Sequence, residues 1–176
     1  MSKNLKVLFV EDDAAVRLGG MQALRLNGLE VQSFERAEHA LRYIEFGFPG
    51  ILVSDIRLPG MSGLALLEHT VGTDASLPVI LVTGHGDIPM AVDAMRRGAY
   101  DFVEKPYSSE QLVDVSQRAL EKRRLTLELA CDSRAARTSA QRLFDQLALE
   151  QIKFGLKRWF LGSVVAAGCV DPRRHT

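Results

Sequence analysis

Short apolar runs and amphipathic stretches take turns along most of this chain, and a punctuating residue marks each changeover. Leu5 to Val10 is a compact apolar run and reads as a strand. Ala14 to Leu26 has helical spacing through Val16, Met21, Leu24 and Leu26, and Asn27-Gly28 stops it. Leu29 to Phe34 alternates as a second strand, and Ala37 to Phe46 reads as a helix. Ile51 to Ser54 is a third strand, followed by a short helix from Leu64 to Thr70. Pro78 to Thr83 is a fourth strand, closed by Gly84-His85-Gly86, and Ile88 to Arg97 is a helix ended by Gly98. Tyr100 to Glu104 is a fifth strand, ended by Lys105-Pro106. Ser109, with Ser108 just before it, caps a last helix that runs to about Leu129.

Strands that each lead into a helix predict an α/β fold with a parallel sheet and helices on both faces. The crossovers are expected to be right-handed. In such sheets the chemistry gathers where the strands' carboxyl ends emerge. Those ends carry Glu11, Asp12 and Asp13 after the first strand, Asp55 after the third, Thr83 at the fourth and Lys105 after the fifth. Asp13 suits the N-cap of the first helix. The second strand ends in Glu35 and adds nothing to the set.

Carboxylates gathered in one crevice repel, and a hard divalent cation relieves the repulsion. Mg²⁺ prefers oxygen ligands and binds through one or two carboxylates with waters and phosphate oxygens. Asp12 and Asp55 suit direct ligation, and Glu11 suits contact through water. Zinc is not expected, because His85 has no second histidine at ligand spacing. With a cation present, a carboxylate such as Asp55 can accept a phosphoryl group, since that transfer needs mostly positioning and charge neutralisation. The Lys105 ammonium and the Thr83 hydroxyl are then the partners for two phosphoryl oxygens.

Composition narrows the classes. The chain has 176 residues, 47% of them hydrophobic and 25% charged, which supports a packed core. Acidic and basic residues number 22 each, so no net field draws the whole chain to nucleic acid or an anionic membrane. Cys131 and Cys169 have no metal-ligand spacing and no disulfide framework. The apolar run near the N-terminus is too short for a signal peptide, and no run is long enough to span a bilayer. A cytoplasmic location is expected.

Four segments together carry a resemblance: FVEDDAAVR at 9–17, SDIRLPGMSG at 54–63, VILVTGHGD at 79–87 and GAYDFVEKP at 98–106. The chain resembles the receiver domain of bacterial two-component response regulators over roughly residues 5–125. ILVTGHGDIPMAVDAMRRGAYDF and the following EKRRL look like the receivers of NtrC-type regulators, particularly those of C4-dicarboxylate transport. The resemblance implies a flavodoxin-like sheet of order 2-1-3-4-5. It implies that Asp55 is the phosphoacceptor and that a sensor histidine kinase is the donor. Glu11 and Asp12 resemble the family's acidic pair for Mg²⁺, with the backbone carbonyl of Arg57 as a further ligand. Thr83 and Phe102 resemble the switch pair, and Lys105 the phosphate-pairing lysine. A cis bond is implied at Lys105-Pro106. The surface of the fourth helix, fifth strand and fifth helix is then the expected switching and homodimer surface, and transcriptional control is the output of such relatives. Arg57 and His85, two residues past Asp55 and Thr83, are expected to tune the lifetime of the acyl phosphate.

Two features depart from NtrC-type regulators. No G-x-x-x-x-G-K-[ST] loop occurs, and no nucleic-acid-binding helix-turn-helix is recognisable. The expected organisation is a receiver over 1–125 and a helical extension over 126–176. Within the last helix, Val113, Leu120 and Leu127 are seven apart and could seed a coiled-coil seam, interrupted by Arg123. Glu121-Lys122-Arg123-Arg124 reads as a solvated face, Cys131-Asp132-Ser133 as a break, and Gln141 to Phe160 as a further amphipathic stretch followed by an apolar segment to Val170. A phosphoacceptor is not an enzyme in the turnover sense. The rivals are a Mg²⁺-dependent phosphohydrolase with an aspartyl nucleophile and a non-phosphorylated interaction domain. The hydrolase usually needs a second Asp two residues after the first, where this chain has Arg57.

Overall fold

The structure, a computed structural model, describes residues 5–84, 88–133, 138 and 141–142. Contacts divide the chain into two compact units, Met1–Leu129 and Ala130–Thr176. In chain order the elements are β1 (Lys6–Val10), α1 (Ala14–Leu26), β2 (Glu30–Phe34), α2 (Ala37–Ala40), a 3-10 turn (Leu41–Tyr43), β3 (Gly50–Asp55), α3 (Gly63–Thr73), β4 (Val79–Thr83), α4 (Ile88–Arg96) and β5 (Asp101–Glu104). A final helix, α5, covers 109–133. The strands form one parallel sheet of order β2-β1-β3-β4-β5, as the resemblance implied.

Alternation along each strand sorts the core into two layers. Leu8, Val10, Leu52, Val79 and Leu81 face Ala37 and Ala40 of α2, Leu66 and Leu67 of α3 and Ala94 of α4. Val7, Phe9, Ile51, Val53, Ile80 and Val82 face Leu24 of α1 and Leu112, Val115 and Ala119 of α5. β1, β3 and β4 are therefore covered on both faces, which explains their unbroken apolar sequences. All six residues of β3 are buried.

Asp13 caps α1, its carboxylate accepting from Ala15 N at 2.8 Å and Val16 N at 3.0 Å. The cap of α5 is Ser108 rather than Ser109: Gln111 N donates to Ser108 Oγ at 3.1 Å, and Ser109 is already helical. The helix expected over Ala37 to Phe46 stops early. Past Ala40 the chain tightens to a 3-10 turn, and Gly47 at φ +79° reverses it, so that Ile44 and Phe48 both reach the core while Phe46 stays 71% exposed. Cys131, Asp132 and Ser133, expected as a break, are helical.

Two expectations for α5 are corrected. Val113 and Leu120 are buried against the sheet, so they are not a seam free for a second helix. Arg123, expected on a solvated face, is fully buried. Its guanidinium donates to Phe48 O at 3.0 and 2.8 Å, to Ser76 Oγ at 2.7 Å and to Asp74 Oδ2 at 2.6 Å. This network lies at the amino-terminal edge of the sheet, between the residues that lead into β3 and β4. His85 and the stretch from 143 to 170 lie outside the described residues. Among the described residues, no helix is long and apolar enough to cross a membrane.

Candidate functional site

Sheet register brings the strand tips together. Val10 pairs with Ser54 and Asp55 with Val82, so Glu11, the first residue past β1, stands beside the end of β3. Glu11 N donates to Phe34 O at 3.1 Å, which carries the β1–β2 ladder one residue past the strand. Asp55 is the last residue of β3, and its Oδ1 accepts from Arg57 N at 2.8 Å. Gly63 opens α3 directly behind it. A Cβ on Gly63 would stand 2.1 Å from Asp55 O, so only glycine lets the helix approach the strand end this closely.

Glu11, Asp12 and Asp55 each offer a carboxylate oxygen, and the three oxygens lie within 4.8 Å of one another. Glu11 is 1% exposed and Asp55 6%, while Asp12 is exposed. Lys105 reaches into the crevice. Its Nζ donates to Glu11 Oε2 at 2.7 Å and contacts Asp55 Oδ2. Lys105 N donates to Thr83 O at 2.7 Å, which ties the loop after β5 to the end of β4. The Lys105-Pro106 bond is cis, as expected.

Burial governs the electrostatics. Burial pushes the Glu11 carboxyl above its ordinary value, and the Lys105 ammonium offsets this only in part. Burial also opposes the charge on Lys105, but hydrogen bonds to Asp55 and Glu11 outweigh it and raise the ammonium's pKa. The ammonium thus does in this structure what an added cation would do: it holds two buried carboxylates in one crevice. The oxygen-only donor set fits Mg²⁺. Glu11, Asp12 and Asp55 are the side chains that would hold it, and bound there it would neutralise carboxylate and phosphoryl charge.

Thr83 is 3% exposed at the tip of β4. Phe102, on β5, is 40% exposed and so is not a core aromatic. Arg57 is exposed, and its N–H faces Asp55.

Two neighbours of the site were not anticipated. Arg17 Nη1 donates to Glu11 O at 2.6 Å and Asp12 O at 3.0 Å, pinning the turn that carries both acids. The signal was a cation one helical turn after the N-cap, whose side chain leans back toward the helix start. Glu38 accepts from Met61 N at 3.0 Å and braces the loop after Asp55. Nothing in the local sequence pairs those two positions.

Residues 7–117 match the family described as the response regulator receiver domain. The chain is 48% identical over 143 residues to the C4-dicarboxylate transport transcriptional regulatory protein DctD of Rhizobium meliloti, covering 81% of this chain and 31% of the relative. It is 50% identical over 123 residues to the DctD protein of Pseudomonas aeruginosa, covering 70% of this chain and 27% of the relative. The crystal structure of the receiver domain of NtrX from Brucella abortus superposes with a TM-score of 0.62 at 40% identity, covering 65% of this chain and 98% of that one. The chain thus spans about a third of the length of those curated relatives. With its sheet order, its acidic crevice and the family match over most of its length, the chain belongs to the response regulator receiver domain family.

Proposed function

We propose that this chain is the phosphoacceptor of a two-component relay, with Asp55 as the acceptor and a sensor histidine kinase as the donor. The observation that carries the reading is the meeting of Glu11, Asp12 and Asp55 in one crevice with Lys105 across it. An Asp55 carboxylate oxygen attacks phosphorus, the bond from phosphorus to the donor's imidazole nitrogen breaks, and the electron pair leaves with the imidazole. The product is an acyl phosphate, and the transfer rests on positioning and charge neutralisation with no general base. Glu11, Asp12, Asp55 and the Arg57 carbonyl would hold Mg²⁺, which would supply charge neutralisation when bound.

The chain's own groups do the positioning. Lys105 exchanges its contact with the free carboxylate for one with a phosphoryl oxygen. The Thr83 hydroxyl takes another phosphoryl oxygen, and the space it leaves admits Phe102, which is 40% exposed before the exchange. That exchange would repack α4, β5 and the start of α5, the surface proposed for homodimer contact. The two states need differ by only a few kcal/mol for phosphorylation to select between them. Arg57 and His85 are proposed to set how long the acyl phosphate lasts.

The receiver is assigned to residues 1–125 and an extension to 126–176. Its place is the cytoplasm. In the longer relatives the output is transcriptional regulation, and the same output is proposed for the protein that uses this receiver. Turnover is limited to slow autodephosphorylation.

Incubation with acetyl phosphate and Mg²⁺, followed by intact-mass spectrometry, tests the reading. The expected result is a single added phosphoryl group that is absent from Asp55→Asn. Sustained release of phosphate over many cycles would instead identify a phosphohydrolase, and no labelling at all would identify an interaction domain.

A further inference from the structure

Tyr107 stands two residues past Lys105. Its hydroxyl oxygen is buried and has no hydrogen-bond partner, the one side-chain nitrogen or oxygen of which this is true among the described residues. A buried hydroxyl left unpaired gives up its hydration for nothing, and a phenylalanine would fill the same space without that cost. An orphan of this kind needs a reason, and a second state in which it is paired supplies one. The charges that act on the Tyr107 phenol are those of Glu11, Lys105 and Asp55, the groups of the acidic crevice. Lys105, Pro106 and Tyr107 also line a cleft of about 540 Å³ against Val16, Gly19 and Gly20 of α1.

In this structure the partner of Glu11 is Lys105, at 2.7 Å. That ammonium cannot stay on Glu11 and Asp55 and also turn fully to a phosphoryl oxygen. When it turns, the carboxylate of Glu11, 1% exposed, loses a charge-assisted hydrogen bond in a site with little water to replace it. A phenol is a suitable replacement. It donates one hydrogen bond and brings no positive charge to compete with a divalent cation for the same acids.

We propose that Tyr107 is a positioning residue, whose hydroxyl donates to the Glu11 carboxylate once Lys105 is drawn to a phosphoryl group on Asp55. The inference rests on the phosphoacceptor reading. It assigns Tyr107 no contact with the reacting atoms.

The test uses the full chain, Mg²⁺ and beryllofluoride, a phosphoryl mimic. Tyr107→Phe should fold with a thermal midpoint equal to or above that of the parent, because it removes an unpaired buried hydroxyl. It should nonetheless bind Mg²⁺ with beryllofluoride about tenfold more weakly, the size of effect found when a partner behind a metal ligand is lost. In the parent, the near-ultraviolet tyrosine absorption should shift on saturation as the phenol becomes a donor, and Tyr107→Phe should lack that shift while retaining Tyr43 and Tyr100. Equal affinities, or an identical spectral shift in both proteins, would overturn the role of Tyr107 alone. Failure of the parent itself to take up beryllofluoride would overturn this role and the phosphoacceptor reading together.

Discussion

The guanidinium of Arg123 donates to Asp74 Oδ2 at 2.6 Å with the two side chains 0% and 3% exposed, at the edge of the sheet opposite the acidic crevice. Such a pair gives little net stability over an apolar substitute, but removing one member strands the other charge. Arg123→Met should therefore lower the unfolding free energy by about 3–5 kcal/mol. Urea titration checks this through a lower midpoint at unchanged slope. A loss as small as that of an exposed ion pair would show that the pair opens to water.

The same pair makes stability depend on pH. Burial alone would raise the Asp74 carboxyl. Hydrogen bonds from Arg123 and Ser76, and from the Gly47 and Ser76 backbone, outweigh burial and hold it well below its ordinary 3.8. The unfolded chain therefore takes up a proton before the folded one does on acidification. The stability from this group is complete above about pH 5 and is lost as the pH falls through the ordinary carboxylate range toward the depressed folded value. Urea midpoints measured from neutral pH down to about pH 3 should fall more steeply in the parent than in Asp74→Asn. Parallel slopes would remove Asp74 as the cause.

Lys105 competes with any cation for Glu11 and Asp55. Lys105→Met should bind Mg²⁺ at least about threefold more tightly at low ionic strength, with the gain shrinking as salt rises. Calorimetric titration reads both quantities. Weaker binding in the variant would mean that the lysine organises the acids more than it competes for them.

Two glycines of α3 should respond with opposite signs. At Gly63 a methyl would meet the Asp55 carbonyl at 2.1 Å, and Gly63→Ala should cost about 1–3 kcal/mol and disturb the end of β3. At Gly72 a methyl meets nothing within 4 Å, and Gly72→Ala should gain about 0.5–1 kcal/mol. Thermal midpoints of the two variants check the contrast. A neutral Gly63→Ala would show that the helix can draw back from the strand.

Periodicity carried the fold because β1, β3 and β4 are buried on both faces and Leu24 of α1 and Leu66 and Leu67 of α3 pack on the sheet, although Leu26, read as part of the α1 stripe, is 87% exposed. It misjudged α2, where the pull of Ile44 and Phe48 into the core overrode helical spacing. It also misjudged α5. Arg123 reads as a surface cation because its partners, Phe48 O and Asp74, come from distant loops whose positions only the folded chain defines. In the crevice, the tip residues Glu11, Asp55, Thr83 and Lys105 were legible from their places after strands. The Arg17 contacts and the unpaired Tyr107 hydroxyl were not, since each depends on where a side chain ends rather than where its residue begins.

The placement of apolar residues on α5 limits how that helix can be gripped. Val113 and Leu120 are spent inside the molecule, whereas Leu125 and Leu129 are 47% and 69% exposed. Five residues separate Leu120 from Leu125, and at about 100° each they turn the cylinder roughly 140° beyond one full revolution. The outward stripe is thus out of phase with the inward one, and a zipper in register with Val113 and Leu120 would find its first rungs already occupied.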